Sequence, residues 1–224
     1  VRALRQERAR WPAVIRLFVI GEGDTEEAIV KRVLVPHLSA RNIFPIAQSQ
    51  GGGSRWAPWR RFLARLMRQE KAGECRFTTL FDLYAFPDDL PGMDAIREEA
   101  DTLERAAKIE AAMAADLPDW RFIPYVQRHE IEALVLTGVE ELAAILPSER
   151  LGLQHLQKEV ATQGPEDVND NYATVPSRRL KKHAPTYSKT VDGPTVIERV
   201  GLPRIRAACP KFNAWMTTVE GLDS

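Results

Sequence analysis

Carboxylates follow two of the apolar segments of the chain. Glu22 comes directly after the apolar residues 17–21, and Asp82 comes directly after the apolar residues 77–81. Hard divalent cations such as Mg²⁺ prefer oxygen ligands and are commonly held by one or two carboxylates, water and substrate phosphates. Such an ion activates water and neutralises the charge that develops during phosphodiester hydrolysis. The two acids therefore indicate a metal site.

Two glycines, Gly21 and Gly23, bracket Glu22. Glycine permits a sharp turn, and its missing Cβ lets a phosphate approach the backbone. Glu26 lies four residues beyond Glu22, in the first turn of a predicted helix, where a carboxylate also suits the helix dipole. Glu26 is therefore either a further metal ligand or an ordinary N-terminal helix acid.

Three more acids are candidate metal ligands. Asp88 lies in the loop "FPDDLPG", where aspartate is also common as a turn former. Glu130 and Glu132 follow a predicted strand and open a predicted helix, and a site role and a structural role are equally open for both. His129 precedes them, and we interpret it as a satisfied, partly buried side chain because no second histidine lies four residues on.

A basic segment supplies candidates for phosphate binding. Lys or Arg near a scissile phosphate stabilises the charge of the transition state. Lys189, in "YSKTVDG", is the preferred catalytic cation. The other candidates lie in a segment predicted to be rich in loops, and for each of them a solvated surface is an equal alternative: Arg178, Arg179, Lys181 and Lys182. The Arg-rich helix at residues 59–68 is interpreted as a solvated face or as a surface that follows a nucleic-acid backbone.

Strands and helices alternate through the first two thirds of the chain. Apolar runs predict strands at residues 14–20, 43–48, 75–84 and 120–127, and helical spacing predicts helices at residues 25–40, 57–73, 94–115 and 129–146. This order predicts an α/β fold with a mainly parallel central sheet and helices on both faces. Because chemistry in such sheets gathers beyond the carboxyl ends of the strands, Glu22 and Asp82 are well placed.

Three regions are expected along the chain. Residues 1–13 form an N-terminal arm, residues 14–150 form the α/β core, and residues 151–224 form a C-terminal extension that packs on the core. The extension is polar and contains prolines, so we expect it to combine loops with helices and not to fold alone. A final helix is expected to include the apolar residues Phe212, Trp215, Met216 and Val219.

Composition restricts the possible partners. The 224 residues contain 31 basic and 31 acidic side chains, so the chain does not coat nucleic acid by overall charge, and any nucleic-acid surface must be local. No apolar run is long enough to span a bilayer, and no export signal is recognisable. Cys75 and Cys209 lack metal-ligand spacing. We expect both to be reduced in a cytoplasmic protein without membrane contact.

Several blocks in order resemble a known bacterial family. The blocks "VIGEGDTEEAIVKRVL", "FTTLFDLYAFPDDLPG", "IPYVQRHEIEALVL", "PSRRLKKHAPTYSK" and "IRAACPKFNAW" resemble the domain-of-unknown-function family 4276, over roughly residues 14–220. That family is grouped with the Toprim fold, as are OLD-family nucleases, topoisomerases and bacterial primases. The resemblance implies that Glu22 is a metal ligand or general acid/base and that Asp82 helps to bind Mg²⁺. Toprim enzymes usually carry a second Asp two residues after the first, where this chain has Tyr84. Either Asp88, Glu130 or Glu132 then supplies the missing carboxylate, or the site binds metal weakly.

Two functions follow as hypotheses. The first is a nuclease that uses Mg²⁺ or Mn²⁺ to hydrolyse DNA or RNA, as an effector of phage defence or of a mobile element, with an ATPase partner. The second is a non-catalytic Toprim-like subunit that docks on an ATPase or senses a nucleotide. Both hypotheses allow the protein to form a homodimer.

Overall fold

A computed structural model describes residues 14–49, 53, 55–70, 73–168 and 174–223. The N-terminal arm expected at residues 1–13 lies outside this part of the chain. Within it, the strands are β1 (Ile15–Gly21), β2 (Ile43–Gln48), β3 (Cys75–Asp82), β4 (Phe122–Ile123) and β5 (Val126–Gln127). All of their pairings are parallel, in the order β2-β1-β3-β4, with β5 also beside β3.

Helices connect the strands and cover the sheet. The first crossover consists of α1 (Asp24–Ile29), a π-helical turn (Val30–Leu34) and α2 (Val35–Ser39). The next helices are α3 (Trp56–Gln69), α4 (Met93–Arg97) and α5 (Thr102–Asp116), followed by α6 (Glu132–Val135) and α7 (Val139–Ile145). The C-terminal helices are α8 (Arg150–Gln163), α9 (Pro176–His183), α10 (Asp192–Val200), α11 (Leu202–Ala208) and α12 (Pro210–Glu220).

Alternation along the strands places one hydrophobic core on each face of the sheet. In β1, Leu17 and Val19 face a core that α1, α2 and α6–α12 complete, while Phe18 and Ile20 face a second core formed with α3, α4 and α5. Successive strand side chains point to opposite faces, so a strand buried on both sides is apolar throughout. The predicted α/β class with helices on both faces is therefore confirmed.

The sheet order fixes where the two leading acids lie. The chain leaves β1 for β2 on one side and returns to β3 on the other side, so β1 and β3 are neighbours whose following connections diverge. Gly21 pairs with Leu80 in the parallel register. The residues that follow the two strands therefore meet at the carboxyl edge, at the switch point where α/β sheets commonly bind ligands.

Three predicted elements are interrupted. The helix expected at residues 94–115 is divided into α4 and α5, because the Asp101 side chain caps a new helix by accepting hydrogen bonds from the N–H groups of Leu103 (2.7 Å) and Glu104 (3.1 Å). The strand expected at residues 120–127 is divided into β4 and β5 at Pro124, which has no N–H to donate to a ladder.

The helix expected at residues 129–146 begins late and changes its pitch. His129 has φ 64°, outside the helical region, and the helix begins only at Glu132. A 3₁₀ turn over Leu136–Gly138 then separates α6 from α7. Gly138 is tightly packed against α10, because a Cβ there would lie 2.3 Å from a side-chain carbon of Val200. The prediction that His129, Glu130 and Glu132 share one helix was wrong.

Helices predominate in the C-terminal extension, which was expected to combine loops with helices. Residues 150–223 contribute five α-helices within the described part of the chain, and their apolar side chains enter the same core as β1 and α1. The expected final helix is confirmed as α12, in which Phe212, Trp215, Met216 and Val219 are buried. Both cysteines are buried and form no disulfide. Among the described residues, no helix combines the length and apolar character needed to cross a membrane.

Candidate metal centre and its basic neighbour

Glu22 and Asp82 meet at the carboxyl edge of the sheet. The Asp82 backbone N–H donates a hydrogen bond to Glu22 Oε1 at 3.2 Å, so the carboxylate that follows β1 reaches the end of β3. Asp82 is only 6 % exposed, and its Oδ1 accepts a 2.7 Å hydrogen bond from the Ile131 N–H. The two strand-end acids thus lie side by side, while their role as metal ligands stays a prediction.

A lysine from the C-terminal region reaches this site. Lys189 Nζ lies 3.4 Å from Asp82 Oδ2 and 3.2 Å from Glu132 Oε2. The Glu132 side chain, at the start of α6, is 1 % exposed, whereas the Lys189 side chain is 41 % exposed. The ammonium group therefore bridges two buried carboxylates, and the lysine side chain as a whole is partly exposed.

The loop that carries Lys189 is held by a short hydrogen-bonded turn. The Ser188 N–H donates to Asp192 Oδ2 at 2.7 Å, and the Asp192 N–H donates to the Ser188 carbonyl at 2.8 Å. Asp192 was not among the predicted site residues. The sequence does contain a pattern that predicts this turn, namely an aspartate that begins a helix four residues after a serine. Such side-chain-to-backbone turns are common in loops that have no functional site.

Glu26 completes the acidic cluster from α1. It is buried, and its Oε2 accepts a 2.9 Å hydrogen bond from the Gly23 N–H. Gly21 is required for this packing because a Cβ there would lie 2.5 Å from Glu26 Cβ. A Cβ at Gly23 would meet nothing closer than 3.9 Å. The structure therefore gives Gly21 a packing role, while phosphate binding by Gly21 and Gly23 stays a prediction.

Burial sets the protonation chemistry of the four acids. Burial raises the pKa of Glu22, Glu26, Asp82 and Glu132, and the neighbouring carboxylates raise it further, although the Lys189 ammonium lowers it. Burial alone would lower the pKa of Lys189, but Asp82, Glu132 and Glu26 outweigh it and raise that pKa. Lys189 is therefore a cation throughout the neutral range, and the cluster still favours additional positive charge.

The donor set fits a hard divalent cation. The four carboxylates offer oxygen ligands only, and buried Glu132 Oε2 accepts no hydrogen bond of good geometry within the described residues, although Lys189 lies at ion-pair distance. No three His, Cys, Asp or Glu side chains of the described chain are already arranged as a complete metal chelate. Cation binding thus requires the carboxylates to move away from their present partners.

A family model places these residues in a known group. The model of the domain of unknown function DUF4276 matches residues 21–220. The chain belongs to this family. The matched segment contains every member of the cluster, from Glu22 to Lys189, so the site lies within the family domain.

Solved structures of low sequence identity are also similar. The C-terminal region of the Burkholderia pseudomallei OLD protein matches with a TM-score of 0.48 and 16 % identity, over 93 % of this chain and 98 % of that chain. The C-terminal region of the Xanthomonas campestris pv. campestris OLD protein matches with a TM-score of 0.38 and 19 % identity, over 91 % and 95 % of the two chains. No curated protein matches the chain.

Two of the predicted ligands have other partners. Asp88 is 75 % exposed and forms an ion pair with Arg97. Glu130 Oε2 accepts a 2.9 Å hydrogen bond from the Ser177 N–H in the first turn of α9, and its charge still acts on Glu132. Of the three proposed substitutes for a second Asp, Glu132 is the one that lies beside Asp82 through their common contact with Lys189.

Tyr84 occupies the position of that second Asp and contacts His129. The rings are stacked with centroids 5.3 Å apart, and His129 Nδ1 lies 3.2 Å from the Tyr84 hydroxyl. Burial and neighbouring Arg128 lower the pKa of His129 to about 4, so its ring is neutral at pH 7. The interpretation of His129 as a satisfied buried residue is consistent with this packing.

The other basic candidates lie on α9, not in a loop. Pro176 occupies the first turn of this helix, where its missing N–H costs nothing. Arg179 pairs with Glu159 at 2.7 Å, and Lys181 donates to the Tyr187 carbonyl. Arg178 and Lys182 are exposed. The structure therefore places Lys189 at the acidic cluster, whereas Arg179 and Lys181 have structural partners. Phosphate binding by the four basic residues of α9 stays a prediction.

Gly21→Ala should destabilise the protein, whereas Gly23→Ala should not. The new Cβ at position 21 would overlap the Glu26 side chain at 2.5 Å, and position 23 has room. We expect Gly21→Ala to cost about 1–3 kcal/mol, as overpacked cores do. Thermal unfolding of the two variants checks this. A Gly23→Ala variant that loses as much stability as Gly21→Ala would contradict the packing role of Gly21.

Glu132→Gln should stabilise the metal-free protein near pH 7. Burial and neighbouring acids raise the pKa of Glu132 above its ordinary value of 4.5 in spite of Lys189, so the folded state holds its proton more tightly than the unfolded state. Stability from this group is present below pH 4.5 and is lost as the pH rises through the folded value. Gln cannot ionise and avoids that loss.

The measurement is thermal unfolding with EDTA at pH 4 and pH 7. Glu132→Gln should melt about 2–4 °C above wild type at pH 7 for each kcal/mol gained, with little difference at pH 4. The control is Glu198→Gln, at an exposed acid on α10. This substitution should leave the melting temperature unchanged at both pH 4 and pH 7. A Glu132→Gln variant that is less stable than wild type at pH 7 would contradict the expected direction of the stability change.

Proposed function

We propose that this protein is a divalent-metal-dependent nuclease that hydrolyses phosphodiester bonds of DNA or RNA. The observation that carries the proposal is a cluster of four carboxylates from separate elements at the carboxyl edge of the sheet, three of them buried and one partly buried, in which Lys189 contacts Asp82 and Glu132. Buried acids that repel one another cost stability, so a functional reason for their retention is expected. Surface turns would not require such a cluster.

The acids and the lysine have different proposed roles. Glu22, Asp82, Glu26 and Glu132 would hold Mg²⁺ or Mn²⁺, which when bound supplies an activated water and neutralises phosphate charge. Glu22, the least buried of the four, is the proposed general acid/base. Lys189 has a partly exposed side chain and is proposed to contact a phosphate oxygen, where its charge stabilises the transition state.

The wider setting is proposed from the family resemblance. The relation to the Toprim fold and to OLD proteins supports a cytoplasmic role in phage defence or mobile-element control, together with an ATPase partner. Nucleic acid is the proposed substrate class. Fold alone does not determine the reaction. The proposed reaction is therefore based on the acidic cluster and Lys189.

A second function is supported by a specific observation. Tyr84 stands where an acid was expected and stacks on His129, and Lys189 already supplies a positive charge to the cluster. A cluster closed in this way would suit a non-catalytic subunit that docks on an ATPase or senses a nucleotide. This alternative requires the absence of metal-dependent cleavage.

Cleavage assays separate the two functions. Purified protein is incubated with plasmid, single-stranded DNA and tRNA, with Mg²⁺, Mn²⁺ or EDTA. Wild type should cleave at least one substrate only with a divalent cation, and Glu22→Gln should remove that activity. The matched control is Glu104→Gln on the exposed face of α5, which should cleave as wild type does. Cleavage by Glu22→Gln at the wild-type rate would rule out the mechanism.

A further inference from the structure

One face of α3 carries a row of exposed arginines. Arg61, Arg65 and Arg68 follow the i, i+4, i+7 spacing of a single helix face, and all three are exposed. With a rise of 1.5 Å per residue, the row extends about 10 Å along the helix. The opposite face of α3 is buried in the second core, so the arginines lie on a fixed support.

These arginines have no acidic partners among the residues that the structure describes. Within the described chain none of the three forms an ion pair, and Arg65 instead lies with its guanidinium 5.7 Å from the centre of the Phe62 ring. Arg60 on the same helix, by contrast, pairs with Asp116 at 2.8 Å. In a chain with equal numbers of acids and bases, unpaired arginines on one face create a local positive potential.

An exposed tryptophan lies at one end of the row. Trp120 is 72 % exposed and lines, with Arg68, an open cleft of about 750 Å³. The guanidinium of Arg76 lies 4.4 Å from the centre of its ring. Asp119 lines the same cleft, but Arg121 binds it at 2.6 Å, so this acid does not leave a net negative charge. The cleft therefore combines cationic groups with an accessible aromatic ring.

We infer that this arginine track, defined as Arg61, Arg65, Arg68 and Trp120, binds single-stranded nucleic acid. The guanidinium groups would contact successive phosphates, and the indole ring would stack on a base, which is the combination that sequence-tolerant single-strand binding uses. The inference rests on the proposed function for its ligand class. The track shares no residue with the acidic cluster, so it holds substrate and does not cleave it.

Binding is measured by fluorescence anisotropy with labelled single-stranded oligonucleotides in EDTA, where cleavage is blocked. The test variant is Arg61→Gln/Arg65→Gln/Arg68→Gln. The control variant removes three exposed basic residues elsewhere, as Arg150→Gln/Lys158→Gln/Arg199→Gln. Each phosphate contact contributes about 0.7 to the slope of log K against log salt for single strands. The track variant should therefore lose about 2 from this slope, and the control variant should keep the wild-type slope.

Trp120→Ala tests the stacking contact separately. It should weaken single-strand binding about ten-fold, within the range measured for base–aromatic stacking, and should leave the salt slope unchanged. All substituted side chains are exposed, so unfolding temperatures should match wild type. A duplex of the same length should bind without any effect of Trp120→Ala, because its bases are already stacked on one another.

Three results would overturn the inference. These are equal losses in the track and control variants, no single-strand binding by wild type at low salt, and single-strand binding that is insensitive to Trp120→Ala. The proposed function fails on a different measurement, namely unchanged cleavage by Glu22→Gln. Binding is measured without a divalent cation and cleavage is measured with one. Each proposal can therefore be tested whether or not the other fails.

Discussion

Asp82→Asn is expected to reduce metal-dependent cleavage at least about a hundred-fold, as the removal of one electrostatic group from a catalytic site commonly does. Asn has the size of Asp and retains an oxygen for the 2.7 Å hydrogen bond from the Ile131 N–H. It loses the negative charge that faces Lys189 and that would face a metal ion. Initial cleavage rates with saturating Mn²⁺ measure the effect.

The same variant should lose stabilisation by metal. A cation that binds only the folded protein stabilises it by about 2.7 kcal/mol at a hundred times its dissociation constant, or roughly 5–10 °C in melting temperature for a chain of this size. Asp82→Asn should show little of this shift. The control is Asp94→Asn, an exposed acid on α4, which should keep both cleavage and the shift. Wild-type cleavage by Asp82→Asn would contradict the proposal.

Lys189→Met is expected to destabilise the metal-free protein and to slow cleavage. Removal of the ammonium leaves Asp82 and Glu132 without their counter-charge. Breaking a fully buried pair costs about 3–5 kcal/mol; because Lys189 is 41 % exposed and solvent screens its charge, we expect about 2 kcal/mol. The pKa of Lys189 is raised, so this stability is present at neutral pH and is lost only when alkaline pH deprotonates the lysine.

Saturating Mn²⁺ separates the two contributions of Lys189. The metal replaces the missing charge, so the melting temperature of Lys189→Met should return towards that of wild type, while cleavage should remain at least about ten-fold slower. The control is Lys158→Met on the exposed face of α8. Wild-type cleavage by Lys189→Met under these conditions would show that Lys189 is only a counter-charge for the acids.

Local patterns were sufficient to predict the sheet and its two leading acids. In β1 and β3 the apolar run ends at a glycine or an acid, and a parallel sheet necessarily brings the residues after neighbouring strands together. Lys189 was selected from turn signals in its loop, and the structure places it on Asp82 and Glu132. The positions of these residues were predictable because each depends on residues close together in sequence and on one rule of sheet geometry, whereas their roles stay predictions.

Features that depend on distant packing were not predictable. The helices of the C-terminal region bury their apolar side chains in a core shared with β1 and α1, and the residues of each short helix do not reveal this distant partner. Glu130 and Glu132 look alike in sequence, but one caps α9 and the other contacts Lys189. The change of direction at His129 depends on a positive φ, which the residue type does not reveal.

The most direct measurement is anomalous diffraction from crystals soaked in Mn²⁺. We expect one ion within about 2.0–2.3 Å of carboxylate oxygens from both Glu22 and Asp82, with Glu26 or Glu132 as a further ligand and the Lys189 ammonium displaced. Soaked crystals with no ion at the carboxyl edge of the sheet, or with an ion bound only by exposed acids such as Asp88, would contradict it.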